Sequence, residues 1–394
     1  MLFSMGFSRR RSLCNSLLAM LTLNFLLMSA SFTSPYMDLN KLLELGLIAS
    51  RPNFFILDLW LPWQTLPCSF IYHHTTIYLL LYVDDIIITG NDSTQISHLI
   101  TALSHAFKFK DLGALSYFLG IQIIPTKFGL TLCQSKYASD ILHRFHMENA
   151  KPTKSPCCPS TRLTPCEGSL LPDPSEYRRM VGALQYLTFT RSDLSFSVHQ
   201  LCQFMQHLTT SHFDAAKRLL RYVRGTLHFG IHIDPGPITL SAFSDADWAG
   251  DPSDRKSTTG ILVFLGSSPI SWSSKKQSTV LRSSTEAEYR ALASTIAKLA
   301  WLCTLFQELG LSLPHIPVLW CDNNSAIALA SNPVFHSRTK HIEVDYHYVR
   351  ECVLRHDLGI KFIFGHDNFA DIFTKSLLGP HFVFLCSKLL TDSA

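Results

Sequence analysis

The sequence predicts an α/β (α+β) fold in its C-terminal part: a mixed sheet flanked by helices, preceded by a strand–turn–strand element and a largely helical segment. Three observations carry that expectation. Strand-length apolar runs at about 239–244, 260–265 and 269–273 follow one another directly. Strands at about 318–321 and 361–364 then alternate with helical patterns at about 285–309, 325–331, 342–354 and 368–377. Sequential strands followed by alternating helices and strands describe a mixed sheet covered by helices. Finally, an acidic residue stands at a strand end or near a helix start in four separate places: Asp245, Glu288, Asp322 and Asp371.

Upstream, 77–81, the string YVDD and 86–89 read as strand, tight turn and strand. Residues 93–107 carry Ile96, Ile100, Leu103 and Phe107 at helical spacing. Residues 115–124 and 130–133 suggest a second hairpin turning at Gly129. The Pro/Ser/Thr/Cys-rich stretch 152–174 is read as a surface loop or linker. Helices come next at about 175–191, 194–208 and 211–225. The last carries Lys217, Arg218, Arg221 and Arg224 opposite Leu219, Leu220 and Val223. Such a stripe can track a phosphate backbone or simply be a solvated face.

Composition sets wide bounds. A chain of 394 residues, 47% hydrophobic and 16% charged, has room for two or three globular domains. A net charge of +4 permits nucleic-acid binding without requiring it. Eleven cysteines contain no C-x-x-C pair, so neither a zinc site nor a regular disulfide framework is indicated, and a reducing compartment fits. Arg9–Arg11, the apolar run 17–28 and Ser29, Ala30 and Ser31 form a secretion-like pattern. That run is short and interrupted by Thr22 and Asn24, so no stable membrane association is expected. The chemistry downstream favours cytoplasm or nucleus over export.

Each acid has a structural alternative when taken alone. Asp245, with Asp247 two residues on, can be a solvated strand end. Glu288 belongs to Thr285-Glu286-Ala287-Glu288, a capping-box string. The apolar face Leu292, Ile296, Leu299, Cys303 and Phe306 continues from Glu288, which points it inward and leaves Glu286 as the structural acid. Asp322 can cap a helix, and Asp371 can pair with Lys375 at i+4. Jointly, four acids at equivalent ends of one β-β-β-α-β-α-α-β-α order suit phosphodiester hydrolysis. Two Mg²⁺ ions about 3.5–4 Å apart activate water and stabilise the leaving oxygen, and hard carboxylate oxygens are their natural ligands.

At these residues a resemblance becomes specific. SDADWAGDPSDRKSTTG, ISWSSKKQ, SSTEAEYRAL, CDNNSAIALASNP, RTKHIEVDYHYVRE and ADIFTK resemble the ribonuclease H domain of copia-type retrotransposon Pol polyproteins. YVDDIIITGND, KDLGALSYFLGIQI, QSKYASDIL, YRRMVGALQYLTFTRSDL and AAKRLLRYVRGT resemble the palm end, thumb and connection of the same family's reverse transcriptase. Gln122, Ser192 and Ser376 are small departures from that pattern.

The resemblance implies a ribonuclease H-like fold and metal ligation by Asp245, Glu288, Asp322 and Asp371. The metal would be two Mg²⁺ ions, or Mn²⁺. The substrate would be an RNA–DNA hybrid, and further parts of a polyprotein would be partners. Phosphate-contact candidates are Lys217, Arg218, Arg221, Arg224, Lys275, Lys276, Lys340 and His341, the last two in the family's KHI motif. From position alone, His366 or His341 is a candidate to assist proton transfer on product release. Asp84 and Asp85 correspond to the polymerase aspartate pair, whose third partner has no match here, since Asp58 stands too close to them. The implied organisation is a disturbed leader or remnant at 1–67, a partial palm at 68–150, thumb and connection helices at 151–237, a nuclease domain at 238–380 and a tail at 381–394. The competing reading is a catalytically inactive, nucleic-acid-binding remnant.

Overall fold

The computed structural model describes residues 54–56, 67–72, 75–82, 85–106, 110–159, 162–331 and 343–393. The expectations for the leader, Asp58, Asp84, Lys340 and His341 lie outside the described residues. The chain divides into two compact units, Met1–Ser116 with Thr304–Ser312 and Tyr117–Cys303 with Leu313–Ala394.

In the first unit, strands β1 (Phe54–Ile56), β2 (Pro67–Tyr72), β3 (Thr75–Tyr82) and β4 (Asp85–Gly90) form an antiparallel sheet in sequence order. The hairpin expected around YVDD is β3–β4, with Tyr82 opposite Asp85. Helix α1 (Ser93–Ala106) starts where Asp92 accepts the Thr94 amide hydrogen at 2.9 Å, an ordinary N-cap.

The second unit opens with β5 (Tyr117–Phe118), β6 (Ile121–Pro125), β7 (Leu130–Cys133) and helices α2 (Ser135–Arg144), α3 (Ser175–Leu187), α4 (Ser195–Cys202) and α5 (Thr210–Gly225). Strands β8 (Phe229–Ile233), β9 (Leu240–Asp247), β10 (Thr258–Leu265) and β11 (Ser268–Lys276) succeed them. Then come α6 (Ser284–Glu308, of which the residues from Thr304 on belong to the first unit), β12 (Val318–Cys321), α7 (Asn324–Ser331), α8 (Glu343–Leu354) and β13 (Gly359–Phe362). A 3-10 turn (Phe369–Phe373), α9 (Gly379–Leu389) and β14 (Thr391–Asp392) complete it.

Strands β9 to β13 form one five-stranded sheet in the order β11-β10-β9-β12-β13. The first three are antiparallel; β12 runs parallel to β9, and β13 parallel to β12. This is the mixed sheet, flanked by helices, that the sequence predicted. Strand β10 is buried at every position, which explains its unbroken apolar run: both of its faces are covered. On α6, Leu292, Ile296 and Leu299 are buried, and Tyr289 ties that helix to α8 through its hydroxyl on the Tyr346 carbonyl at 3.3 Å.

The other sheet has the order β14-β8-β7-β6-β5 and corrects two expected boundaries. The break expected at 150 falls at Ser116–Tyr117, because β7 hydrogen-bonds to β8 across the intervening helices. The segment 381–394 is not a tail. Helix α9 packs there, and Thr391 pairs with Gly230 at the sheet edge. The helix expected at 368–377 is the short 3-10 turn, which ends where Thr374 leaves the helical conformation.

A buried ion pair sits behind this arrangement. Arg191 grips Asp193 with two nitrogens, at 3.0 and 2.8 Å, and both side chains are almost fully buried. Tyr222 of α5 donates to Asp193 at 2.7 Å, and Arg191 donates to the Thr226 carbonyl at 2.7 Å. Phe382 of α9 meets the Tyr222 ring edge-on at 5.8 Å between centroids. The group therefore links the end of α3, helix α5 and the C-terminal helix. Among the described residues no helix is long and apolar enough to cross a membrane.

Asp193→Ala strands a buried guanidinium, so urea unfolding should show a loss of about 3–5 kcal/mol; a loss under ~1 kcal/mol would mean the pair is merely tolerated. His199 of α4 accepts the Lys276 amide hydrogen at 3.3 Å, and burial, then the Lys276 charge, push its pKa down to about 4. The unfolded chain takes up this proton near pH 6.5, whereas the folded one resists it. Stability from this residue is therefore complete above pH 6.5 and falls as the pH drops towards 4. His199→Gln should flatten that part of the pH–stability curve, and an unchanged slope would refute the assignment.

Candidate metal centre

Asp245, Glu288 and Asp371 lie in β9, α6 and the 3-10 turn, and Asp322 directly follows β12. Asp245 lies on β9 opposite Gly260 of β10 and is 1% exposed. Gly260 has a steric reason to be glycine. A Cβ there would lie 2.7 Å from the Ala370 carbonyl oxygen and from a Thr374 methyl, so its absence lets the 3-10 turn settle against the strand. Asn368 fixes the same turn. It accepts the Ala370 amide hydrogen at 3.1 Å and donates to the Ser244 carbonyl at 3.0 Å, which holds Asp371 beside Asp245.

Glu288 is free of the helix cap. Ser283 accepts the Glu286 amide hydrogen at 3.3 Å and Glu286 accepts that of Arg282 at 3.1 Å, so the cap forms earlier than the string TEAE suggested and uses Glu286. Glu288 is buried, and its Oε2 has no hydrogen-bond partner. Asp322 likewise does not cap α7. Asn323 does, accepting the Ala326 amide hydrogen at 3.0 Å.

One carboxylate oxygen from each of Asp245, Asp322 and Asp371 lies within 4.8 Å of the others. Glu288 and Asp322 meet Cys321 at the same spacing. Lys375 reaches into the cluster, with Nζ 2.9 Å from Asp371 and 3.4 Å from Asp245. The i+4 pair proposed as the structural alternative for Asp371 thus exists, but Lys375 serves two acids. Thr374 also donates to Asp245.

Burial raises the carboxyl pKa values of Glu288, Asp322 and Asp371, and neighbouring negative charge raises them further. Glu288 is pushed up to about 10 by burial and by Asp245 and Asp322. Asp371 is pushed to about 7 by burial and Asp245, and Asp322 is raised for the same reasons. Burial disfavours the Lys375 ammonium, but Asp245 and Asp371 outweigh it and hold the charge firmly. Asp247, raised to about 7 by burial, accepts the Thr258 amide hydrogen and shapes the 247–258 turn. It is a neighbour of the cluster rather than a member.

A cavity of about 690 Å³ adjoins the cluster, lined in part by Asp247, Thr374, Lys375, Arg162, Arg218 and Arg221. Three arginines of the α5 stripe each spend one donor on the chain itself. Arg221 donates to the Lys151 carbonyl at 2.7 Å, Arg224 to the Glu148 carbonyl at 2.5 Å and Arg218 to Ser155 at 3.1 Å. Lys276 is bound by Asp251 at 2.5 Å and Asp254 at 3.0 Å. Lys217 lies over the Phe213 ring, and Lys275 is exposed. Asp85 is exposed at the start of β4, and His366 is exposed next to His381. Sequence reasoning missed Thr374, Asn368 and the second contact of Lys375. Their only signal was proximity in sequence to Asp371.

Residues 68–159 match the reverse transcriptase (RNA-dependent DNA polymerase) family. The chain is 51% identical over 302 residues to a retrovirus-related Pol polyprotein from transposon RE2 of Arabidopsis thaliana, covering 76% of this chain and 21% of that protein. The chain thus spans about a fifth of the length of the Pol polyproteins it matches, 21% in each of two cases. It is also 51% identical over 226 residues to an uncharacterized mitochondrial protein of Arabidopsis thaliana, covering 57% of this chain and 94% of that protein. A solved N-terminal RNase H domain from Mycobacterium tuberculosis aligns at 13% identity and a TM-score of 0.27, over 38% of this chain and 97% of that one. The chain belongs to the copia-type retrotransposon Pol polyprotein family.

Proposed function

We propose that residues 238–380 form a divalent-metal-dependent ribonuclease that cuts the RNA strand of an RNA–DNA hybrid, carried in one chain with part of a reverse transcriptase. The observation that carries this reading is the convergence of Asp245, Asp322 and Asp371 within 4.8 Å, with Glu288 alongside. The donor set suits a hard cation such as Mg²⁺ or Mn²⁺, since all four groups offer carboxylate oxygen. The buried, unpartnered Oε2 of Glu288 fits the same conclusion: a carboxylate oxygen without a donor is satisfied by a cation. When bound, two such ions supply Lewis-acid activation of water and charge stabilisation at the leaving 3′ oxygen.

The chain's own groups do the rest. Asn368 and Gly260 set the position of Asp371, while Thr374 and Lys375 fix Asp245. Arg162 and Arg218 on the adjoining cavity wall keep guanidinium hydrogens beyond those they spend on Gly250 and Ser155, and these are suited to backbone phosphates. The substrate's 2′-hydroxyl distinguishes RNA from DNA at the cut strand. A polymerase role for Asp84 and Asp85 would need a third carboxylate from another part of the polyprotein.

A second reading, a binding-only remnant, is favoured by Lys375. Its ammonium already supplies positive charge to Asp245 and Asp371, so part of the cluster can persist without an ion.

The two readings separate in one assay on the full chain. The ribonuclease reading expects a 5′-labelled RNA in a hybrid to be cut with Mg²⁺ and left whole with EDTA. Asp245→Asn should lower the rate roughly 100-fold or more while hybrid still shifts in a native gel. Hybrid that shifts but is never cut by the unaltered chain would establish the remnant instead.

A further inference from the structure

The carboxylate cluster has a sulfur-containing side. Cys321 closes β12 and is completely buried. Its Sγ and one oxygen each of Glu288 and Asp322 lie within 4.8 Å of one another. The Asn323 amide donates to that sulfur at 3.4 Å, which orients it at the strand end. Glu288 leaves Oε2 buried and unpartnered in this neighbourhood.

Mg²⁺ has no use for this side, because it takes hard oxygen and ignores sulfur. Zn²⁺ and Cd²⁺ differ. They accept thiolate and carboxylate together, and three protein ligands with one open position make a stable tetrahedral site. Binding releases the thiol proton to solvent and places the resulting thiolate on the ion.

We propose that Glu288, Cys321 and Asp322 form a site for a thiophilic divalent cation, Zn²⁺ or Cd²⁺, which overlaps the hard-cation site through its two carboxylates. Occupation by one excludes the other. The overlap rests on the ribonuclease reading, whereas the three-ligand site rests on its own geometry. The consequence is inhibition. A thiophilic ion draws Glu288 and Asp322 away from Asp245 and Asp371 and leaves the hydrolytic site incomplete.

The test is a Cd²⁺ titration of the full chain monitored by thiolate-to-cadmium charge-transfer absorption, a readout independent of cleavage. Other cysteines contribute background, so the decisive quantity is the difference between variants. The unaltered chain should show an absorption increment that Cys321→Ser loses, that Glu288→Gln also loses, and that excess Mg²⁺ suppresses. Circular dichroism establishes that each variant is folded, and the glutamate variant leaves the thiol in place. Identical titrations of Cys321→Ser and the unaltered chain would overturn the site. An increment that survives Glu288→Gln would overturn the ligand set, and one indifferent to Mg²⁺ would overturn the overlap. A chain that binds Cd²⁺ at Cys321 yet never cuts a hybrid would support the site while overturning the ribonuclease reading.

Discussion

Mutual repulsion among buried carboxylates is the constraint to which the rest of this structure answers. Asp245, Glu288 and Asp371 are each under 10% exposed, and Asp322 is half-buried beside them. Such a group is costly unless something positive or a proton compensates it. The protein meets part of that need with Lys375 and with the hydroxyl of Thr374. At Glu288 the Ala246 amide and the Lys375 charge offset burial only in part, leaving one oxygen unpartnered and the carboxyl strongly inclined to hold a proton. In a fully satisfied ion-pair network every buried oxygen would already have a donor.

The acids stay close because the elements bearing them are held from both sides. Strand β9 lies between β10 and β12; Asp245 pairs with Gly260 of β10, and the β12 ladder fixes the strand up to Phe243, two residues before it. Asp371 depends on a single turn, and the C-terminal segment beyond it is anchored twice. Helix α9 packs at the Arg191–Asp193–Tyr222 cluster, and β14 then joins the edge of the other sheet. Trp272 of β11 adds a bond to the Thr188 carbonyl at 2.9 Å. The helices read as thumb and connection are thus part of the compact unit that holds the carboxylates.

Much of this was legible in the sequence because it rests on periodicity. Strands β9 to β12 and helix α6 were placed within a few residues, since continuous apolar runs and a long buried face signal burial directly. The four acids were legible for the same reason: each breaks an apolar pattern at its end. The features that escaped depend on pairing between distant segments. Nothing in 117–133 announces that it pairs with 229–233, and the short run Thr391–Asp392 is too brief to register as a strand. The helix expected at 368–377 failed because Asn368 and the close approach at Gly260 favour a tighter turn over continued helix. The arginines of α5 show a comparable limit. Their spacing fits a phosphate-tracking stripe or a solvated face, whereas the carbonyls of Glu148 and Lys151 already accept from two of them.

Uptake of a hard divalent ion by the carboxylates is the central claim. Calorimetric titration of the full chain with Mn²⁺ measures this without any assumption about substrate. Saturable uptake that disappears in Asp245→Asn and in Asp322→Asn is the predicted result. A flat titration of the unaltered, folded chain, or uptake undiminished by both substitutions, would contradict it.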